Sequence, residues 1–431
     1  METVKVSIII PSLNVRDYIC ECLESAVNQT LQEIEILCVD ARSTDGTREI
    51  IKEYARRDKR VRLLNDDKGS TGYANNQGVR ESSGAYVAIL EPDDYVDRQM
   101  YEKLFLAAKE KDCDAARADY QVFWGTGAGR TFLDKPAARQ AGHYDRILSA
   151  RQEKALFLND MSTWAGIYKK DFLVRNRIWH NETPGASYQD NGFWFQVTAM
   201  AERLMYIPVS GYRYRLDNPG SSVHNPKKAY AICDEFDFIR RRLEEEKIFD
   251  QYRGIYSYMK YVRYMGSLYR ICEELQLPFA ERFCRELQEH RDRGEMTEEF
   301  FSPKQREQRK QLLASPKTFV EQIRQGQQAL WDFLRQEKRV IQFGCGSDGI
   351  RFLSYMRERG EAGKIVCIAD NNPKLQKGRL FGIPLVSPEE AKKRWPGCGY
   401  VITSLNYEAE IQRQLIKAGV LEEKIIAGAL C

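Results

Sequence analysis

The tetrad Glu91-Pro92-Asp93-Asp94 places three carboxylates directly after the apolar run 85–90. That run reads as a buried strand, so the acids stand at its C-terminal end, where open α/β sheets bind their ligands. Carboxylates this close repel one another unless a cation or a hydrogen-bonded ligand holds them. A hard divalent ion with oxygen ligands is the natural partner, and a phosphate can complete its coordination. The plain alternative is a turn, because Pro followed by two Asp residues is good turn chemistry.

Two further acids fall where a sheet would gather them. Asp40 follows the apolar run 34–39, and Asp190 opens a helical stretch expected at 192–201. A strand-end carboxylate can accept from a base N–H or a ribose hydroxyl; capping the next helix, a task open equally to Ser43, Thr44 or Asp45, is the alternative for Asp40. Asp190 suits removal of a proton from a hydroxyl. An N-cap role is compatible with that, and a helix N-terminus favours its ionised form. The segment Lys68-Gly69-Ser70-Thr71-Gly72 precedes another helix and offers amides to a phosphate. Alone it is a weak signal, because many Gly-rich turns start helices. Trp164, Trp179, Tyr188, Phe193 and Trp194 crowd the sequence near Asp190. Sugars present apolar faces that pack on aromatic rings, so Trp164 and Tyr188 are candidates to frame an acceptor. Phe193 and Phe195 read as core.

The elements that must position these groups follow from the pattern. Strands expected at 4–10, 34–39, 61–64 and 86–90 alternate with helices at 17–28, 47–56 and 73–81. That alternation predicts a mostly parallel sheet with helices on both faces. A mixed region rich in Gly and aromatics runs from 114 to about 224. Residues 227–336 then follow helical spacing, with Tyr252, Tyr256 and Lys260, then Tyr261 and Met265, as neighbours on a turn. This stripe reads as helix packing, with an anionic membrane or a second subunit as the alternative. From about 338 the pattern returns to α/β, with strands at 339–343, 365–369, 400–404 and 424–427. The expected domains are therefore 1–226, 227–336 and 337–431.

Composition narrows the function classes. The 431 residues imply two or three domains. A net charge of +4 is too small to imply nucleic acid. Eleven cysteines without a Cys-x-x-Cys, and only four histidines, argue against a zinc cluster. Unpaired cysteines suit a reducing cytosol. No signal peptide is expected and no apolar run approaches a membrane span, so a cytoplasmic location is expected, with peripheral attachment to the inner face of a membrane left open.

A second Gly-rich turn, Gly344-Cys345-Gly346-Ser347-Asp348-Gly349, follows an expected strand and opens a helix, and Asp370 ends the next strand. This is the dinucleotide fingerprint in its required context. Residues 338–431 hold no histidine and no Tyr-x-x-x-Lys pair, so hydride chemistry is not expected there. Three readings stand: a nucleotide or nucleotide-sugar site, an NAD site, or a packing module that kept its Gly turn.

Several motifs resemble family 2 glycosyltransferases over roughly the first hundred residues. They are Val6-Ser7-Ile8-Ile9-Ile10-Pro11-Ser12-Leu13-Asn14, Tyr18, residues 25–30, residues 39–47 and residues 84–94. Further similar stretches are 183–194 and 212–222. The resemblance implies a GT-A fold and inverting, metal-dependent transfer of a sugar from a nucleotide-sugar, with a UDP-sugar as first choice and Mg²⁺ or Mn²⁺ as cofactor. Carried over by position, Pro11 and Asp40 border the nucleoside. Glu91, Asp93 and Asp94 match the metal motif, with Asp93 as the direct ligand, and Asp190 matches the acceptor-activating base. Arg215, Ser221, Ser222 and His224 lie where members close over the diphosphate, and His224, with Asp93 and Asp94, is a candidate metal ligand. The segment 338–431 resembles Rossmann-like modules appended to bacterial surface-polysaccharide enzymes, and resembles nucleotide-sugar-binding domains of sugar acetyltransferases at 368–373 and 381–386.

There are departures. The family often has a second acidic or amide residue where Ala41 stands and a Gly where Arg42 stands, which leaves the nucleotide open. Glu91 replaces the usual Asp, and Gln189-Asp190 replaces Glu-Asp. The expected chemistry is hexosyl transfer to a glycan or lipid-linked acceptor in bacterial surface polysaccharide synthesis. The alternatives are an NAD-dependent sugar-modifying oxidoreductase centred on the C-terminal domain and a non-catalytic sugar-binding scaffold. Homo-oligomerisation stays open.

Overall fold

The computed structural model describes residues 3–218, 229–373, 375–376, 378–404 and 407–428. By internal contacts the chain forms two units. The first comprises Met1–Trp124, Phe132–Lys260 and Glu295–Thr297; the second comprises Gly125–Thr131, Tyr261–Gly294 and Glu298–Cys431. The helical stretch 227–336 is thus shared between the units. Within it, residues up to Lys260 cluster with the first unit, and Tyr261–Gly294 and the stretch from Glu298 onward with the second.

In the first unit β1 (Val6–Ser12), α1 (Arg16–Val27), β2 (Ile34–Asp40), α2 (Thr47–Arg57), β3 (Val61–Asn65), α3 (Thr71–Glu81) and β4 (Tyr86–Ile89) alternate as the sequence pattern predicts. Then follow β5 (Tyr95–Val96), α4 (Met100–Glu110), β6 (Ala115–Trp124), β7 (Thr131–Lys135), β8 (Gly166–Lys169), α5 (Lys170–Arg175), α6 (Gln189–Met200), β9 (Leu204–Arg215) and α7 (Ala231–Glu245). The sheet order is β3-β2-β1-β4-β8-β6-β9-β5, with β7 on β6. Strands β1 to β4 are parallel, and β8 runs against β4 and β6. The chain leaves β1 toward β2 on one side and reaches β4 on the other, so the order reverses at β1. The crevice outside the carboxyl ends there is the expected ligand position. β1 and β2 are buried along their whole length, as parallel strands covered on both faces must be.

Helix α8 (Phe249–Leu268) carries the aromatic stripe. Tyr252 and Tyr256 are buried, and their hydroxyls donate to Ala199 O at 2.7 Å and Phe236 O at 3.0 Å. These residues pack as core, as the plainer reading expected.

The second unit holds α9 (Glu273–Asp292), α10 (Pro303–Ala314) and α11 (Pro316–Gln336), then β10 (Val340–Phe343), α12 (Ser347–Glu358), β11 (Ile365–Ala369), β12 (Arg379–Leu380), β13 (Ile383–Val386), α13 (Pro388–Arg394), β14 (Gly399–Ile402), α14 (Glu408–Lys417) and β15 (Ile425–Ala427). Its sheet order is β12-β13-β11-β10-β14-β15, parallel except for the β12–β13 hairpin. Helix α11 lies close on this sheet: a Cβ at Gly399 would come 2.6 Å from the Phe333 ring. Among the described residues no helix is long and apolar enough to cross a membrane.

Candidate active site

The acidic turn is built by β9. The amide of Glu91 donates to the Tyr212 hydroxyl at 3.0 Å, and that hydroxyl donates to Asp94 Oδ2 at 2.8 Å. Asp94 Oδ1 accepts from the Arg215 amide at 2.7 Å. Both oxygens of Asp94 are therefore engaged, and its side chain is buried. Asp93 is half-buried, and its Oδ2 accepts from Asn218 Nδ2 at 2.7 Å. Burial and then the charge of Asp93 raise the proton affinity of Asp94 well above the carboxylate range. Burial, then the charges of Asp93 and Asp190, push Glu91 up to about 8. The turn thus gathers three acids, two of which have a raised proton affinity.

Arg215 backs this cluster. Its Nε donates to Asp93 O at 2.8 Å, and its guanidinium pairs with Glu21 at 2.9 Å and packs over the rings of Tyr18 and Phe123 at 4.9 and 4.6 Å. It is nearly buried and holds the turn's backbone. Ser221, Ser222 and His224 lie outside the described residues.

At the carboxyl ends of β1 and β2, Pro11 is buried and pairs with Val39, and Ser12 pairs with Asp40. Asp40 is fully buried. Its oxygens accept from Ser43 Oγ at 2.6 Å, Ser43 N at 3.1 Å and Arg48 Nη1 at 2.9 Å. The motif residues around it lace two loops together. Asn14 N donates to Ser43 Oγ and Thr44 N donates to Asn14 Oδ1, both at 2.9 Å, and Arg16 N donates to Asp45 at 3.0 Å.

The amides of Lys68–Ser70 do not face a phosphate. Asp66 takes them, with Lys68 N at 2.7 Å, Gly69 N at 3.0 Å and Ser70 N at 3.1 Å. The braced loop carries the next one. Thr71 N donates to Gly185 O and Gly185 N donates to Gly69 O. A Cβ at Gly72 would stand 1.9 Å from Asn181 O, so glycine permits this approach. Gln189, buried, then folds the loop onto itself through Thr183, Gly185 and Ser187. The amide side chain thus gives the Gln-Asp departure a structural use.

Asp190 is exposed in the first turn of α6, which starts three residues earlier than the pattern predicts. Tyr188, in left-handed backbone conformation, takes the N-cap position that was one reading of Asp190. Asn191 Nδ2 donates to Asp190 Oδ1 at 2.8 Å. From α7, Glu235 closes the same turn: Gly192 N donates to its Oε1 at 2.7 Å and Asn181 Nδ2 to its Oε2 at 3.0 Å. Burial pushes Glu235 up to about 8.

The Tyr214 phenol feels charges from both the acidic turn and the start of α6. Burial, followed by the charges of Asp94, Asp93, Glu91 and Asp190, raises its proton affinity. Asp190 and the acidic turn therefore share one electrostatic neighbourhood. Sequence reasoning missed Asp66, Tyr212, Tyr214 and Glu235 as site residues. The alternation in Tyr212-Arg213-Tyr214-Arg215 put both tyrosines on one strand face, and Asp66 followed by Lys68-Gly69 is an Asx-turn signal. Glu235 left no local signal, because its partner lies in another helix.

In the second unit, Asp370 is engaged by its own Gly turn and the loop that follows it. Its Oδ2 accepts from Cys345 N and its Oδ1 from Asn372 N, both at 2.8 Å. Gln342 Nε2 donates to Gly344 O and Gly349 O at 2.9 Å, which closes the Gly turn internally. A Cβ at Gly349 would stand 2.2 Å from Gly344 O, whereas Gly346 opens onto empty space.

Comparison with known proteins places this geometry. Residues 7–164 match the profile "Glycosyl transferase family 2", and residues 336–426 match "C2185-like, N-terminal". Among solved structures, S. aureus TarS 1-349 in complex with UDP superposes with a TM-score of 0.55 at 18% identity, covering 75% of this chain and 92% of that one, which supports the GT-A-like fold. The uncharacterized glycosyltransferase YibD of Escherichia coli K12 is 33% identical over 51% of this chain, which spans only 64% of YibD. Glycosyltransferase GlyG of Streptococcus pneumoniae serotype 4 is 38% identical, over 49% of this chain and 70% of GlyG. The putative teichuronic acid biosynthesis glycosyltransferase TuaG of Bacillus subtilis is 34% identical over 48% of this chain and 91% of TuaG. With that identity across nearly the whole of TuaG, the chain belongs to glycosyl transferase family 2.

Proposed function

We propose that the N-terminal unit transfers a sugar, with inversion, from a UDP-sugar to a hydroxyl of a glycan or lipid-linked acceptor in bacterial surface polysaccharide synthesis. One observation carries this reading: Asp190 and the acidic turn lie in one electrostatic neighbourhood, yet on separate supports. Direct displacement at an anomeric carbon needs that division. Asp190 takes the proton of the attacking hydroxyl, held in place by Asn191 and by the clamp of Glu235 on its helix turn. The opposite side must receive a diphosphate. TarS in complex with UDP supports the choice of donor, and the teichuronic acid biosynthesis in the name of TuaG supports the product class.

The acidic turn offers Asp93 and Glu91 to a divalent cation, although among the described residues no three His, Cys, Asp or Glu side chains are grouped as a ligand set. Burial first, and then neighbouring negative charge, makes Glu91 and Asp94 hold protons more tightly than ordinary carboxylates, so a bound cation would favour their ionised forms. Asp93, with Glu91 beside it, would hold Mg²⁺ or Mn²⁺, while Asp94 keeps β9 in place. Bound there, the ion would supply Lewis-acid stabilisation of the leaving diphosphate. Pro11 and Asp40 would border the nucleoside. Peripheral contact with the inner face of a membrane fits a lipid-linked acceptor.

For the C-terminal sheet we infer a Rossmann-like module. Its parallel strands, numbered along the chain, run third, second, first, fourth, fifth, the order of a dinucleotide fold without its sixth strand. With Asp370 engaged by its own loop, a nucleotide near Gly346 would be structural, regulatory or donor-related.

Calorimetric titration of the full chain with UDP, with and without Mn²⁺, tests the main reading. Binding that needs Mn²⁺ and is lost in Asp93→Asn, in a variant that melts like the parent, supports it. Equal affinity in all four titrations overturns it.

A further inference from the structure

Two aromatic residues beside the carboxylates are not used by the donor-side machinery. Trp164 stacks on Tyr214 with ring centroids 5.0 Å apart and planes at 8°, and on Tyr212 at 4.2 Å and 28°. Tyr120 stands perpendicular to it, with ring centroids 4.7 Å apart and planes at 84°. Tyr212 and Tyr214 are alternate residues of β9 and share one face of the strand. Trp164 therefore lies flat on that face, and it remains half-exposed. Tyr212 spends its hydroxyl on the acidic turn. Among the described residues, no protein group hydrogen-bonds the Tyr214 hydroxyl or the Trp164 indole N–H, and neither is among the buried atoms left without a partner, so both are open to solvent or to a ligand. At binding surfaces tyrosine and tryptophan ordinarily use these groups.

We propose that Trp164 and Tyr214 form the subsite for the acceptor's terminal pyranose. The indole face packs on the apolar face of the ring, while its N–H and the Tyr214 hydroxyl bond to sugar hydroxyls. The position suits an acceptor because the charges felt by the Tyr214 phenol include Asp190 as well as the acidic turn. A pyranose seated on this platform has a hydroxyl between base and donor. Packing on an aromatic face is sequence-tolerant toward gluco- and galacto-rings, so the subsite selects a pyranose and leaves linkage to other contacts. This inference rests on the glycosyltransferase reading for its catalytic meaning, but not for the binding itself.

The test is saturation-transfer NMR on the full chain with UDP and diamagnetic Mg²⁺ present. The probes are methyl β-glucopyranoside, methyl β-galactopyranoside and methyl N-acetyl-β-glucosaminide, each observed separately. Ring protons of at least one glycoside should saturate in the parent. Trp164→Ala should weaken that signal by roughly tenfold, the scale of a lost aromatic contact, and Trp164→Phe should retain most of it. UDP affinity by calorimetry should stay within about twofold in both variants, because neither residue is assigned to the diphosphate. No saturation with any glycoside, or a signal unchanged in Trp164→Ala, overturns the subsite. A UDP affinity that falls in step with the glycoside signal also overturns it and moves Trp164 to the donor side. Should Trp164→Ala fail to fold, Tyr214→Phe reads the same signal with the ring stack intact. Glycoside binding without any UDP binding would remove the transferase reading and leave the subsite standing.

Discussion

The Tyr212 hydroxyl stands between two parts of one turn, accepting from the Glu91 amide at 3.0 Å and donating to Asp94 Oδ2 at 2.8 Å. One phenol on β9 thus fixes both the backbone and a carboxylate of the acidic motif that follows β4. Tyr212→Phe leaves a buried amide without an acceptor and Asp94 without a donor. The expected loss of stability is roughly 1–3 kcal/mol, the cost of orphaned buried polar groups. Denaturant unfolding measures it. Mn²⁺-dependent UDP binding should weaken in the same variant, since the turn that presents Asp93 is no longer pinned.

Asp190 should matter to rate and not to donor affinity. Asp190→Asn should lower turnover by at least about a hundredfold, the usual scale of general acid–base catalysis. UDP binding should barely change, because the residue sits on a different support from the acidic turn. Near-normal turnover with any active donor–acceptor pair would reduce Asp190 to a first-turn helix residue.

Much of this arrangement was legible in the sequence. The apolar runs and their spacing gave the parallel half of the sheet, because strands buried on both faces leave uninterrupted Val, Ile and Leu. The carboxylates at strand ends followed from it. The supports did not. Asp66 holds the loop that carries Gly185, and Glu235 clamps α6 from a helix 43 residues further along. Such pairs form by tertiary packing and leave no period or motif. Arg215 reads as a phosphate residue by position, and the structure turns its guanidinium onto Asp93 O and Glu21 because two rings and a carboxylate already enclose it. The Gly turn after β10 matched its pattern, but Asp370 found an amide of that same turn.

Glu235 gives a stability signature in pH. Burial pushes it up to about 8 in the folded chain, against about 4.3 in an unfolded one. The folded state therefore binds the extra proton between those values. Its contribution is fully present below about pH 4 and is lost as pH rises through about 8. Glu235→Gln mimics the protonated form, so the difference in Tm between parent and variant should shift in the variant's favour from pH 5 to pH 9. A difference independent of pH would mean that Glu235 is ionised throughout.

Gly192 is tied to the same clamp. A Cβ there would stand 2.2 Å from Glu235 Oε1 and 3.0 Å from the Phe238 ring. Gly192→Ala must push α7 away from the first turn of α6, at a cost of about 1–3 kcal/mol for overpacking. Turnover should fall with it, as the turn carrying Asp190 shifts. Pairing it with Glu235→Gln tests the coupling, because the two effects should not add if they act through one contact. Strict additivity in denaturant unfolding would separate them.

The three glycines of the C-terminal turn should behave differently from one another. Gly344 has φ +109° and a Cβ there would stand 2.2 Å from Ser404 Oγ, while at Gly349 it would stand 2.2 Å from Gly344 O. Alanine at either position should cost about 1–3 kcal/mol through backbone strain or a forced shift. Gly346 has neither constraint, so Gly346→Ala should fall within about 0.5 kcal/mol of the parent. Its open side is where a nucleotide's phosphate would approach the start of α12. Thermal shifts of Asp93→Asn, which silences the N-terminal donor site, with UDP, UDP-glucose or NAD⁺ read this second site alone. A shift abolished by Gly346→Val, in a chain that melts like the parent, assigns a nucleotide to the turn. No shift with any of the three nucleotides leaves the glycines as packing residues, and a substrate-dependent absorbance change at the reduced-nicotinamide band with NAD⁺ would reverse the expectation that this unit performs no redox chemistry.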